Sequence, residues 1–204
     1  MNDMNIHKFN LSNMLIAKDN KLRIIIIGMQ NSGKTFLCRD ILHTFRDRLI
    51  SGNIVTDFNN FELTTIIESI KSKSFLIIDD VFYDEGIIHK DIKNLCSNNP
   101  FDVFIYTCNY ILDKEIVKEA DYIFISPSKI ESILRRLYSY CSDNIKITFL
   151  EFSKICKIVY DCHHFLVIDN TIKSDNREDY IFWYKAERVE SLKIGINDYS
   201  EILI

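Results

Sequence analysis

An α/β fold, three layers deep around a mostly parallel central sheet, is what this sequence predicts, and three observations carry it. Short apolar runs at 22–27, 74–79, 102–107 and 121–126 have the length and composition of strands buried on both faces. Between them lie segments whose apolar residues recur at helical spacing. Gly and Pro are scarce, five and two in 204 residues, which leaves little chain for long irregular linkers. Strands that alternate with helices build a sheet from crossover units, and these pack helices on both faces.

Taken in order, residues 1–8 are polar and expected to be loose, while Phe9-Asn10-Leu11-Ser12-Asn13-Met14-Leu15 has enough apolar content to pack on the domain's edge. The run at 22–27 is too short for a membrane span. Beyond residue 34, Cys38, Ile41, Leu42, Phe45 and Leu49 share one helix face. A short strand is expected at 53–58 and a helix at 61–70, with Phe61, Ile66 and Ile70 inward. After the strand at 74–79 comes a helix at 87–96 on Ile88, Ile92 and Leu95. The strand at 102–107 precedes a helix at 112–120, and the strand at 121–126 is ended by Pro127. An amphipathic helix at 128–141 turns Ile130, Ile133, Leu134, Leu137 and Cys141 inward, with Ser128 as N-cap. A helix at 148–162 and strands at 165–169 and 180–184 complete a single domain spanning 1–204, in which 188–204 is an extension read only as a subunit contact. No internal repeat or low-complexity tract interrupts the pattern.

At this length one α/β domain fits better than two, and 47% apolar residues exclude global disorder. A net charge of −4 and a pI near 5.7 give no whole-protein attraction to nucleic acid, so any DNA must meet a local patch or an oligomer's lumen. Six cysteines are scattered without a C-x-x-C pair, as free thiols in a reducing compartment are. Cys162-His163-His164 lacks a second Cys/His pair at ligand spacing and does not read as a metal site. With no signal peptide and no spanning stretch, the expectation is a soluble intracellular protein.

The chemistry is concentrated in Gly28-Met29-Gln30-Asn31-Ser32-Gly33-Lys34-Thr35, which fits G-x-x-x-x-G-K-[ST] between a strand and a helix, the order that a P-loop requires. In such a loop, backbone N–H groups converge on phosphate oxygens at the positive end of the following helix. Lys34 would reach the β and γ phosphates, and the Thr35 hydroxyl would ligate Mg²⁺. The fold class is therefore narrowed to a three-layer P-loop NTPase sandwich, with all eight loop residues binding ATP.

The apolar run at 75–78 ends in Asp79 and Asp80. Ligands of a parallel sheet bind beyond the carboxyl ends of its strands, which sets this acidic pair at the same rim as the P-loop. Asp79 suits the Walker B role of anchoring Mg²⁺ through a coordinated water, and Asp80 that of polarising the attacking water, with Glu85 as a substitute base. Thr107 and Asn109 close the next apolar strand, where a residue sensing the γ-phosphate would stand; an ordinary turn explains the same residues. Arg135 and Arg136 oppose the apolar face of their helix, either as a solvated face or as a charge supplied to ATP or to DNA phosphates.

With these features in place, the chain resembles the genome-packaging ATPases of nucleocytoplasmic large DNA viruses, within the FtsK–HerA group of P-loop motors. The resemblance rests on the stretch at 9–15, the P-loop at 28–35 and Asp79-Asp80. It rests also on Phe165-Leu166-Val167-Ile168-Asp169-Asn170-Thr171 and Phe182-Trp183-Tyr184-Lys185-Ala186, and it spans residues 9 to about 187. It implies a ring-forming ATPase that drives double-stranded DNA into a preformed capsid, with capsid proteins as partners, in the host cytoplasm (the viral factory) or the virion. It also implies a sheet in which the Walker A and Walker B strands flank a third. This chain departs from the pattern where similar proteins place an Arg before the strand at 102–107, since it has Ser97-Asn98-Asn99-Pro100 there. It departs again with Asn109 in place of Gln, and with a shortened 49–58 segment. Two alternatives stand beside the motor: an ATP-binding assembly module without efficient turnover, and a P-loop nucleotide kinase.

Overall fold

Four successive isoleucines belong in the middle of a sheet. In the computed structural model, β2 (Leu22–Ile27) is an interior strand on which Ile24, Ile25, Ile26 and Ile27 are at most 1% exposed. The structure describes residues 6–16, 21–56, 73–79, 87–110 and 112–199, with 15–16 and 87–91 described by backbone alone. The expected helix at 61–70, Asp80, Glu85 and the Ile88 side chain lie outside the described residues.

Eight strands form one sheet among the described residues: β1 (His7–Lys8), β2, β3 (Ser51–Val55), β4 (Ser74–Ile78), β5 (Val103–Cys108), β6 (Tyr122–Ile125), β7 (Phe165–Asp169) and β8 (Ile181–Tyr184). Their spatial order is β1-β8-β7-β6-β2-β5-β4-β3. From β6 to β3 every pair is parallel, as is β1 with β8, while β7 runs antiparallel to both its neighbours. β5 lies between β2 and β4, the arrangement that the resemblance implied. The reversal at β7 has a simple cause. Between β6 and β7 the chain makes two helices, α4 (Glu131–Cys141) and α5 (Phe149–Asp161), and an even number of passes returns it to the end of the sheet it left.

Alternation along β2 divides the interior into two layers. Ile25 and Ile27 face one cluster with Ile92 and Leu95 of α2 (Ile87–Ser97), Ile116 of α3 (Lys114–Glu119), Leu137 of α4 and Phe152 of α5. Ile24 and Ile26 face the other, with Leu37, Ile41 and Phe45 of α1 (Lys34–Phe45). Phe9, Leu11 and Met14, around a 3-10 turn at Leu11–Ile16, join that second layer, which is the edge packing expected of 9–15.

Several boundaries differ from expectation. The strand expected at 53–58 runs over 51–55, and α3 is shorter than 112–120 because Asp113 caps it, accepting from the Glu115 N–H at 2.8 Å. The helix expected from 128 begins at Glu131. The Ser128 hydroxyl accepts the Ile130 N–H at 3.1 Å in a preceding turn, so Ser128 is not the N-cap, and Ile130 is 55% exposed rather than inward. The extension at 188–199 packs into the domain: the hairpin of β9 (Lys193–Ile194) and β10 (Asn197–Asp198) buries Leu192, Ile194 and Tyr199. The Tyr199 hydroxyl meets both Gly52 N and Gly52 O at 3.1 Å. Five cysteines are buried and Cys162 is exposed. Among the described residues, no helix is long and apolar enough to cross a membrane.

The two late motifs are architectural joints. Asp169 Oδ1 accepts from Thr171 N and Oγ1 at 2.9 and 2.6 Å, and Asn170 N donates to Asp121 O at 2.9 Å, which locks the end of β7 to the start of β6. Tyr184 Oη and Glu187 N both donate to Asp40 Oδ2 at 2.7 Å, tying β8 to the middle of α1. Burial raises the Asp40 carboxyl above its usual range against those two hydrogen bonds.

Candidate functional site

The P-loop leaves the sheet where three parallel strands end together. Gly28 N donates to Cys108 O of β5 at 3.0 Å, and Ser126 N, just past β6, donates to Ile27 O at 2.7 Å. Gly28 is required by contact: a Cβ there would lie 2.4 Å from Ser32 Oγ and 2.8 Å from Ser126 Cβ. Ser32 N closes a turn onto Met29 O at 3.2 Å. Gly33 then adopts φ +87°, in the left-handed region that favours glycine, and starts α1. Gly33 supplies no side-chain cap and the first turn of α1 carries no acidic residue, so its positive end faces the loop without a side-chain counter-charge from its own helix.

Two side chains of α1 define what this loop can hold. Lys34 is buried, and its Nζ donates to Gly28 O and Met29 O at 3.1 and 2.9 Å, so the ammonium arches over the loop. Thr35 Oγ1 donates to Asp79 Oδ2 at 3.4 Å. Asp79 stands at the end of β4, where its N–H bonds to Val55 O at 2.9 Å. Its other oxygen, Oδ1, accepts from Thr107 Oγ1 of β5 at 2.6 Å. Thr107 is fully buried; the residue expected to sense phosphate holds the Asp79 carboxylate in place, while Asn109 is exposed at the rim.

Of the residues expected from sequence, Gly28, Met29, Gln30, Asn31, Ser32, Gly33, Lys34 and Thr35 form one continuous turn, and Thr35 and Thr107 each contact Asp79. Arg135 bonds to Glu131 at 2.6 Å and stacks 4.4 Å from the Phe149 ring, and no described contact links it or Arg136 to the P-loop. What sequence reasoning missed is the far flank of the loop. Ser126, Lys129, Ile130, Tyr160, His163 and His164 border a cleft of about 600 Å³ shared with Met29, Asn31, Ser32 and Gly33. One signal was available, Pro127 ending a strand parallel to β2, which puts the following turn at the same rim. The approach of Tyr160 and His164 depends on the α4–α5 hairpin and had no local signal.

Against known proteins, no family model matches the chain. A curated relative, the uncharacterized protein 088R of Invertebrate iridescent virus 3, is 24% identical over 234 aligned positions that cover 97% of this chain and 89% of that one. Among solved structures, the genome packaging NTPase B204 of Sulfolobus turreted icosahedral virus 2, in complex with AMPPCP, superposes with a TM-score of 0.58 at 15% identity. That match covers 82% of this chain and 98% of the other. The same protein with ATP-gammaS gives 0.58 at 16% identity, over 84% and 100% of the two chains. B204 described as the DNA-packaging ATPase of Sulfolobus Turreted Icosahedral Virus gives 0.52 at 17%, over 83% and 98%. The fold is that of a viral genome packaging NTPase.

Within the packaging-NTPase fold, the carboxyl ends of β2, β4 and β5 bring together a glycine-cornered loop, an ammonium, a hydroxyl and a buried-side-anchored carboxylate. Such a set can bind an anion of several negative charges and, beside it, a small hard cation.

Proposed function

We propose that this chain is a Mg²⁺-dependent ATPase that acts as a motor, translocating viral double-stranded DNA into a preformed capsid. One observation carries the proposal: the threonine of the P-loop and the acid ending a strand two positions away in the sheet meet at 3.4 Å. Adjacent ligands of an octahedral Mg²⁺ lie about 3 Å apart, given metal–oxygen distances of about 2.1 Å, so Thr35 and Asp79 fit the ion. Thr35 and Asp79 would hold Mg²⁺ there, and the ion would supply positive charge against what develops on the phosphates during transfer.

The chain's own residues do the rest. Backbone N–H groups of 28–35 and the α1 dipole bind the triphosphate, and Lys34 exchanges its carbonyl partners for the β and γ phosphates. Thr107 fixes the angle of the Asp79 carboxylate. Asp80 orients the attacking water and takes its proton, and Asn109 at the rim reads the γ-phosphate. Loss of that phosphate would release the strand ends and shift DNA held in the lumen of a homo-oligomeric ring, through sequence-independent phosphate contacts. Capsid proteins are the docking partners, and the host cytoplasm (viral factory) or the virion is the setting.

A second reading, an ATP-binding assembly module without efficient turnover, draws on the Arg-free stretch at 97–100 and on the tie between Arg135 and Glu131. Where an arginine acts in trans it is worth roughly 10³–10⁵ in rate. Steady-state ATPase measured with and without double-stranded DNA decides between them. A motor gives DNA-stimulated, Mg²⁺-dependent turnover that is lost in Lys34→Ala and falls steeply with salt. ATP binding with no turnover, at high protein concentration and with DNA present, selects the module.

A further inference from the structure

Two tyrosines with no role in the chemistry above lie in one line of contact with the start of the P-loop. β5 ends at Cys108, whose carbonyl accepts from Gly28 N at 3.0 Å and so ties the loop's first residue to one neighbouring strand. Tyr110, two residues on, reaches to the other side: its Oη donates to Ser126 O, just past β6, at 2.9 Å. β2 lies between β5 and β6, which are two strand spacings or about 10 Å apart, so the side chain crosses the line of β2 where the loop begins. Ser126 packs on that beginning, since a Cβ at Gly28 would come within 2.8 Å of Ser126 Cβ. The base of this clasp is held in turn. Tyr140 Oη, in the last turn of α4, donates to Tyr110 O at 3.2 Å and accepts from Leu112 N at 3.3 Å. Tyr110 is buried, and burial raises its hydroxyl above the ordinary 10 against a lowering by the Met29 backbone, so it stays a donor at neutral pH.

We propose that Tyr110 is a positioning residue of the P-loop, clasping Gly28 between the ends of β5 and β6, and that Tyr140 keeps it in register from α4. The inference rests on the reading of 28–35 as the triphosphate loop and deepens it by assigning what sets that loop's placement. The two ends of the loop are held differently. Its far end continues into α1, so Lys34 and Thr35 ride on a helix packed through Leu37, Ile41 and Phe45. Its near end is tied by the backbone bonds at Gly28 and Ser126, and the Tyr110 hydroxyl fixes the second of these residues. Without that hydroxyl the start of the loop is freer to shift against Asp79 on the far side of β5. Triphosphate affinity is spread over many backbone N–H groups and changes little with a small shift. Turnover is steeper, since a misplacement of about 1 Å can cost roughly 10²-fold. Both tyrosines act through the backbone of Gly28 and Ser126 and touch no phosphate.

Tyr110→Phe and Tyr140→Phe keep each ring and remove only the hydroxyl, and two measurements on the whole chain test the clasp. Steady-state ATP turnover should fall by roughly 10- to 100-fold in each variant, with the calorimetric Kd for ATP with Mg²⁺ within about threefold of the parent's. The double variant should fall no further than the worse single one, because the two hydroxyls act in series. An unchanged kcat in Tyr110→Phe, a loss in Kd as large as the loss in kcat, or single losses that multiply in the double variant overturns the assignment. Amide hydrogen exchange of the nucleotide-free chain reads the clasp without any turnover. Exchange over 28–32 should speed up in both variants while β4 keeps the parent's rate. No change at 28–32, or equal speeding in β4, overturns the assignment as well. The reading beneath it fails separately: a parent chain that binds ATP without turnover ends the motor, and Lys34→Ala with ATP affinity intact ends the triphosphate loop, while the exchange result still decides the clasp.

Discussion

The contact on which the site turns is between Thr107 and Asp79, at 2.6 Å. A carboxylate that must meet a cation in one orientation needs its second oxygen fixed, and a buried hydroxyl does this without adding charge. Thr107→Val keeps the shape and removes the donor. Chemical denaturation should then register a loss of about 1–3 kcal/mol, and ATP turnover should fall while ATP binding persists. Turnover equal to the parent's would show that the hydroxyl has no part in placing Asp79. His164 offers a second check at this scale. Burial, then the charges of Lys185, His163 and Lys8, hold its imidazole below the ordinary 6.5. The folded chain thus takes up this proton less readily than the unfolded chain, so stability is lost as pH falls from 6.5 toward the folded value. Emission of Trp183, stacked on this ring, should titrate with a midpoint below 6.5, and a midpoint at or above it contradicts the burial argument.

The α4–α5 hairpin decides more at the scale of elements than either helix does alone. It sends β7 back antiparallel and carries Tyr160, His163 and His164 to the P-loop rim. α5 is started by a capping box in which Glu151 N donates to Thr148 Oγ1 at 3.3 Å and Thr148 N donates to Glu151 Oε2 at 2.9 Å. Those bonds from Thr148 are the main reason the Glu151 carboxyl sits below its usual range. Thr148→Ala should cost about 1 kcal/mol, roughly 2–4 °C in Tm for a chain of this size. An unchanged Tm in a calorimetric scan would mean that packing of Phe152, Ile155 and Cys156 alone holds the start of α5. α4 begins without such a cap, and the hydroxyl that looked like one, Ser128, closes the turn before it, leaving Ile130 at the cleft.

For the whole molecule, two apolar layers enclose the sheet, and the thiols go with them. Cys38, Cys96, Cys108, Cys141 and Cys156 are buried, and burial pushes Cys96 and Cys141 up to about 12, far from reactive thiolate. An aromatic disulfide reagent should therefore titrate one thiol rapidly in the native state, Cys162, and the other five only after denaturation. Rapid reaction of two or more would mean that one of the layers opens readily. A net charge of −4 leaves the surface as a whole repulsive to DNA, so the proposed translocation depends on how copies of the chain are arranged rather than on one copy's charge.

Much of this was legible before any coordinates. Five apolar residues among six, a glycine-cornered turn and a helical stripe wrote β2, the P-loop and α1 in adjacent positions, and the parallel-strand rule sent Asp79 to the same rim. Periodicity and turn chemistry are local properties, and a sequence states them directly. Three things were settled only by packing: that Thr107 turns inward to Asp79 across 28 residues, that β7 runs backward, and that Tyr160 and His164 flank a loop more than a hundred residues upstream. Each is a relation between distant segments, and such relations are fixed by which faces can be buried together once every strand competes for one sheet.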